Sequence, residues 1–428
     1  MATLSAAIVR FRRRVIVAAI IGTWLEFFDF STYALFAVSI GQQFFPVESP
    51  SGQLLLSLGT FGVGFVMRPL GAVVLGAYAD RAGRKAALTL SIMLMVLGTA
   101  LIALTPSYAA IGFAAPVLIV LARLLQGFSA GGEIGAATTY ILTAAPQPRH
   151  GLYGSWQTAV QGLAGLAASL IALGLSASLS SEAMDAWGWR VPFLFGLLIG
   201  PIGLYLRRHM DEAPDGRPVL PSANAVLRSL FSCHSGLITI GLLSILGSTV
   251  SAYIIGKYMT TYALHTLHMP EGIAMLASVV SGSMIAIGAV LGGWLSDRFG
   301  RRLLMVAPRA LFLIAVYPAF LIITGHGTAE ILLLMIAILS LLQAMSGAAA
   351  LVGLAECFPE AVRTAGLSIV FATGVAIFGG TAQFVVTWIL DVTADPMALA
   401  WYLIATNSIT TVALLKLRPS RSELPSNV

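Results

Sequence analysis

Five ionisable side chains sit in stretches of the chain that are otherwise apolar. Glu26 and Asp29 lie in the first such stretch, Arg68 in the second, and Arg123 and Glu133 in the fourth. A charge at the centre of a bilayer costs about 2.5–3.5 kcal/mol on insertion scales, and intramembrane acids and bases mark substrate paths and proton relays. A carboxylate facing an arginine stays ionised, whereas in a low-dielectric site without that partner it takes up a proton. The guanidinium it releases then has parallel N–H donors for another carboxylate. These residue types therefore suit a coupled event, in which a proton on an acid and an anion on an arginine each favour the other's binding.

Spacing orders the candidates. Glu26 and Asp29 are three residues apart and Tyr33 is four further on, so all three share one helix face; Arg123, Gln126, Ala130 and Glu133 form a second stripe. Asp29 is the first candidate for the proton site and Glu26 the second. Arg123 is the switch partner, and Glu133 is a further member of the set. Arg68 precedes Asp80 by 12 residues, about 18 Å of helical rise, which puts it near mid-bilayer and too deep to snorkel. Pro69 beside it removes a backbone donor and can kink its helix. Arg68 and Arg123 are the candidate anion contacts. The structural alternatives are a static ion pair joining the first and fourth stretches, and an Arg68 that only balances Glu26 or a helix end.

Polar side chains at depth complete a candidate binding set. Tyr33, Gln126 and Gln157 come from the first half of the chain; Tyr253, Lys257, Tyr258, Gln343, Gln383 and Asn407 come from the second. Lys257 reads equally as a second cationic contact or as an interfacial anchor. Arg309, seven residues into its stretch, is expected to snorkel to the cytoplasmic face. Trp187 and Trp189 are expected in the interfacial aromatic belt.

Positioning these groups requires long apolar elements. Hydrophobic residues make up 58% of the 428 and charged residues 10%, against about a quarter charged in soluble domains. Twelve stretches suffice to cross a hydrocarbon core of about 30 Å. They lie near 15–40, 54–79, 86–105, 113–143, 152–178, 190–206, 237–262, 272–296, 303–324, 330–355, 365–390 and 397–416. Backbone in lipid must satisfy its own hydrogen bonds, so the expected fold class is all-α integral membrane. Of the 24 basic residues, nineteen fall in the tails and the even-numbered connections, which places both termini in the cytoplasm. The net charge of +6 thus follows from topology and implies no nucleic-acid partner.

Several classes are excluded as expectations. The basic start leads into a first span too long for a cleavable signal. Cys233 and Cys357 fall near the cytoplasmic face without metal-ligand spacing, so neither a disulfide nor a metal is expected. No Gly-Lys-Ser/Thr phosphate loop is present, which argues against an ATP-driven pump. No nucleophile–base pair stands out, so neither an enzyme nor a cofactor is expected.

One phrase occurs twice. Gly76-Ala-Tyr-Ala-Asp80-Arg81-Ala-Gly83-Arg84-Lys85 returns as Gly293-Trp-Leu-Ser-Asp297-Arg298-Phe-Gly300-Arg301-Arg302, an offset of 217 positions. A second echo, Pro148-Arg149 and Pro359 to Arg363, has its arginines 214 apart. The chain therefore divides into a bundle over 1–206, a linker over 207–234 and a second bundle over 235–428. Duplicated bundles of this kind hold a site where the halves meet.

The repeated phrase resembles the loop signature of the major facilitator superfamily. Gly22-Thr-Trp-Leu-Glu26-Phe-Phe-Asp29, Arg123-Leu-Leu-Gln126-Gly127 through Glu133 and Trp187-Gly-Trp189-Arg190-Val-Pro192 are similar to its metabolite–proton symporter branch. Gly64-Phe-Val-Met-Arg68-Pro69-Leu-Gly71 is most similar to citrate and tricarballylate symporters. That resemblance implies two six-helix halves, alternating access, and proton-coupled uptake of a small-molecule di- or tricarboxylate by a monomer in a bacterial inner membrane. It also implies a cytoplasmic latch built on Asp80, Arg81 and Arg84 and on Asp297, Arg298 and Arg301. The alternatives are a proton-coupled proline or betaine carrier, a non-transporting nutrient sensor on the same bundle, and an efflux carrier. An aromatic cage for a quaternary ammonium is not expected.

Overall fold

The structure is a computed structural model that describes residues 21–82, 84–131, 133–208, 230, 232–326 and 328–417. Every regular element in these residues is helical. The first half contributes α1 (21–35), α2 (Ala37–Phe44), α3 (Pro50–Ala82), α4 (Arg84–Leu104), α5 (Ala114–Ala130), α6 (Glu133–Ala144), α7 (His150–Ser178) and α8 (Val191–Arg208). The second contributes α9 (Ser235–Tyr253), α10 (Met259–His265), α11 (Glu271–Phe299), α12 (Arg301–His326), α13 (Ala329–Cys357), α14 (Arg363–Gly374), α15 (Gly380–Thr393) and α16 (Ala398–Lys416). Among the described residues, eight helices are long and apolar enough to cross a membrane. Shorter apolar helices cover Thr89–Leu104, Ala114–Ala130 and Gly188–Leu198. The chain is a multi-spanning all-α membrane protein.

Three local features refine the sequence reading. The stretch near 113–143 is divided after Ala130, with α6 resuming at Glu133. Helix α3 runs unbroken past Pro69. A turn of π-helix at Ile254–Tyr258 joins α9 to α10, and another at Val375–Gly379 joins α14 to α15. Such turns put one extra residue into a helix and are frequent at functional sites.

Helices pack closely because their contact faces carry glycine, which replaces the hydrophobic drive that lipid removes. Where α3 crosses α5, a Cβ added at Gly127 would lie 1.6 Å from the carbonyl oxygen of Gly64. That backbone contact sets Arg68 on α3 and Arg123 on α5 against the same face of α1. Within each half, α3 and α4 pack on α5 and α4 on α8; α11 and α12 pack on α13, and α9 on α16. The two halves meet along α7 and α11, α3 and α15, and α6 and α14.

Candidate functional site

Charge pairing dominates the centre. On α1, Asp29 and Glu26 are respectively 4% and 2% exposed; Arg123 and Arg68 are 1% and 2% exposed. Arg123 Nη1 lies 3.1 Å from Asp29 Oδ2, and Arg68 Nη2 lies 2.5 Å from Glu26 Oε1. Asp29 also accepts from Thr99 Oγ1 and Gln126 Nε2, both at 2.8 Å, and Arg123 donates to Gln126 Oε1 at 2.5 Å. The carboxylate is therefore held by three side chains from α4 and α5. Arg68, a candidate anion contact, has no protein partner for its Nε. It is paired with Glu26, because the α3–α5 crossing carries it onto the same α1 face.

Aromatic rings wrap the two guanidiniums. Arg123 Cζ lies 3.7 Å from the Tyr33 ring centroid and 5.0 Å from that of Phe61. Arg68 Cζ lies 4.5 Å from the Phe65 centroid and 5.1 Å from that of Phe30. Tyr253 reaches across from α9 and packs edge-on to Phe61 and Phe65. Cation–π contacts of this kind contribute about 2 kcal/mol or more when desolvated. An aromatic cage unforeseen in the sequence thus exists, and its faces are occupied by the protein's own arginines.

Several donors and acceptors at this centre have no protein partner. They are Arg68 Nε, Arg123 Nε and Nη2, Tyr253 Oη, Gln157 Oε1, and both amide atoms of Gln383. Burying such groups unpaired costs about 1–3 kcal/mol each, so they are suited to meeting a polar ligand.

The remaining candidates are distributed around this centre. Tyr33 Oη donates to the Ser57 carbonyl at 3.1 Å, and Gln157 Nε2 donates to Thr23 Oγ1 at 3.1 Å. Lys257, on the π-turn after α9, is 9% exposed and donates across the seam to Ser31 Oγ at 2.5 Å. It is a buried cross-half contact and not an interfacial anchor in this conformation. Tyr258 accepts from Thr387 Oγ1 at 2.8 Å, and Gln343 Nε2 donates to the Ser248 carbonyl at 3.4 Å. Asn407 is engaged within the second half: its Oδ1 accepts from Arg309 Nη1 at 2.7 Å, and its Nδ2 donates to Ser251 Oγ at 2.9 Å.

Two expectations are corrected. Arg309 does not snorkel; it is 0% exposed, and it also donates to Ser248 Oγ at 2.5 Å and Ser346 Oγ at 3.2 Å. Acceptors from three other helices hold it inside, which no position count along α12 reveals. Trp189 is likewise buried, between Phe44 and Phe193 with Arg190 over its ring, whereas Trp187 is half exposed.

At the end of the molecule that carries the repeated phrase, its second copy joins the halves. Asp297 accepts from the backbone N–H groups of Gly151 and Leu152, each at 2.8 Å, at the start of α7. Arg301 Nη1 pairs with Asp297 at 2.6 Å, and its Nη2 lies 3.3 Å from Glu356. A carboxylate at a helix N-terminus satisfies orphan N–H groups and meets the positive end of the helix dipole. Arg298 lies over Phe299. The side chains of Asp80, Arg81, Arg84 and Glu133 lie outside the described residues. Thr99, Glu356 and the phenylalanines were missed in the sequence. Thr99 is one hydroxyl among many, and Glu356 stands at the end of a stretch, where an acid is unremarkable.

Comparison with known proteins agrees with this architecture. The family model described as Sugar (and other) transporter matches residues 15–215 and 219–415. The chain is 36% identical over 411 residues to the citrate–proton symporter of Salmonella typhi, covering 94% of this chain and 93% of that one. It is 35% identical over 418 residues to the proline/betaine transporter of Salmonella typhimurium, covering 91% and 80%. In fold it is similar to the crystal structure of a D-xylose–proton symporter, with a TM-score of 0.76 at 19% identity, covering 95% and 98% of the two chains. By sequence over most of its length and by fold, the chain belongs to the sugar (and other) transporter family of the major facilitator superfamily, whose members are membrane carriers rather than enzymes.

Proposed function

We propose that the chain is a proton-coupled symporter that brings a di- or tricarboxylate into the cytoplasm by alternating access. It has twelve spans, arranged as bundles over 1–206 and 235–428 with a cytoplasmic linker over 207–234. Both termini are cytoplasmic, the membrane is a bacterial inner membrane, and the working unit is a monomer. The observation that carries the reading is the pair of buried arginine–carboxylate bridges beside partnerless donors on both sides of the seam. Protonation of Asp29 weakens its hold on Arg123, whose free N–H groups, with Arg68 Nε, receive a substrate carboxylate. Tyr253, Gln383 and Lys257 of the second half meet the far end of the substrate, so binding draws the halves together. Similarity to citrate–proton symporters supports the substrate class.

A proline or betaine carrier is the second reading, favoured by the aromatic rings around the site and by the proline/betaine relatives. Against it, the ring faces are already taken by Arg68 and Arg123.

Uptake of labelled citrate, tricarballylate, succinate and proline by vesicles, with and without an imposed pH gradient, separates the readings. Carboxylate-dependent alkalinisation of the medium is the expected result. Uptake of proline alone overturns the carboxylate assignment, and acidification of the medium overturns symport.

A further inference from the structure

Beside Asp29, on the side away from the seam, the interior of the first half contains a cavity of about 30 Å³ between α1, α4, α5 and α8. Its inner end is formed by Asp29, Thr99 and Gly196, and its outer end by Gly22, Ser91 and Gly200, with Ser129 on the wall between. The outer residues are nearer the cytoplasmic ends of their helices: Ser91 is seven residues into α4, and Gly200 is eight before the end of α8. From Asp29 to Gly22 is seven residues, about 10 Å of helical rise. The volume accommodates about two waters. Five polar side chains, the carboxylates of Asp29 and Glu26 and the hydroxyls of Ser91, Thr99 and Ser129, line it and can bond them; the rest of the wall is apolar.

The internal repeat shows what stands at the corresponding place in the second half. The offsets of 217 and 214 place Arg309 opposite Ile92 and Met95, both of which line the cavity. Where the first half has a cavity, the second has a buried guanidinium bonded to Ser248, Ser346 and Asn407. A fixed cation of this kind excludes protons from a path.

We propose that the transported proton leaves Asp29 for the cytoplasm through this cavity, inside the first half, while the substrate leaves along the seam between the halves. The proposal rests on the reading of Asp29 as the proton site. The groups around Asp29 set the direction of transfer. Arg123 and Arg68 present positive charge from the seam side, with Tyr33 on α1 and Lys257 of the second half beside them, while Glu26 lines the cavity and is paired with Arg68. Thr99 and Ser129 face the cavity, and α8 contributes no ionisable side chain there. A proton released by the carboxyl is therefore repelled from the seam and passes to water in the cavity, leaving the carboxylate to re-form its bridge with Arg123.

Gly196 permits a test. A Cβ there would meet Phe28 at 3.6 Å and Thr99 at 3.8 Å, ordinary contacts, so Gly196→Ala fits, and Gly196→Val extends into the cavity. Reconstituted protein is assayed with labelled citrate in two modes: net uptake driven by a pH gradient, and exchange between equal pools, which needs no proton release. Gly196→Val is expected to lower the ratio of net uptake to exchange about tenfold by interrupting the water path, and Gly196→Ala to lower it less. A ratio unchanged in both variants, including a parallel fall of the two modes, overturns the proposal. A wild-type protein that exchanges citrate but shows no pH-driven uptake would remove the proton-coupling reading itself, and this path with it.

Discussion

Asp29 and Glu26 have the same chemistry and stand one helical turn apart, yet they are held differently. Asp29 accepts hydrogen bonds from Thr99 and Gln126 besides its arginine. Asn at position 29 keeps acceptor capacity for these partners but cannot carry a proton. Asp29→Asn is therefore expected to make uptake insensitive to external pH while exchange persists; accumulation with the wild-type pH profile would tell against Asp29 as the proton site. For Glu26 and Arg68 the expectation concerns stability. Removing one member of a buried pair costs about 3–5 kcal/mol because the other is left uncompensated. Glu26→Gln and Arg68→Gln should each lower the melting temperature in detergent, and the double variant should recover part of the loss. A double variant that melts as low as the sum of the single losses would argue that the two charges are not coupled.

Glycine contacts divide the elements into those fixed within a half and those between halves. The Gly127–Gly64 approach lies inside the first half, whereas Gly62 on α3 meets Gly380 on α15 across the seam, where an added Cβ would lie 2.2 Å from the Gly380 oxygen. Gly127→Ala forces two backbones of one bundle apart, and overpacking of this kind costs about 1–3 kcal/mol or more. Gly62→Ala presses on a boundary that must open in each cycle. Gly127→Ala should therefore reduce the yield of monodisperse protein on size exclusion, and Gly62→Ala should leave the yield intact while changing the uptake rate. Equal loss of yield in both would mean that the seam is as rigid as the bundle interior.

For the whole molecule, the contact of Asp297 with the start of α7 joins the halves at the end that carries the repeated phrase. A carboxylate at a helix N-terminus contributes up to about 2 kcal/mol when partly buried, and 1–2 kcal/mol is a factor of roughly 5–30 in a two-state equilibrium. Asp297→Asn should therefore favour opening at that end. A cysteine in place of Ser155, which is buried against Gly293, reports this in a background lacking Cys233 and Cys357. Its alkylation by a water-soluble maleimide in detergent should be several times faster in Asp297→Asn, and an unchanged rate would show that this contact does not set the balance.

The sequence by itself determined the membrane class, the duplication and which residues carry charge at depth. A charge in an apolar run is too costly to pass unnoticed, and a repeated phrase preserves its own register. Only the tertiary structure decided the pairing. Glu26, Asp29 and Tyr33 share one face of α1, and which arginine each acid meets depends on where α3 and α5 cross, a point fixed by glycine backbones on two separate helices. The same reason hid Arg309, whose burial needs Ser248, Ser346 and Asn407 from three other helices, and Thr99, whose role exists only because α4 brings it to Asp29. Depth along a helix can be counted from its end, but what lies beside a residue at that depth is set by how the helices cross.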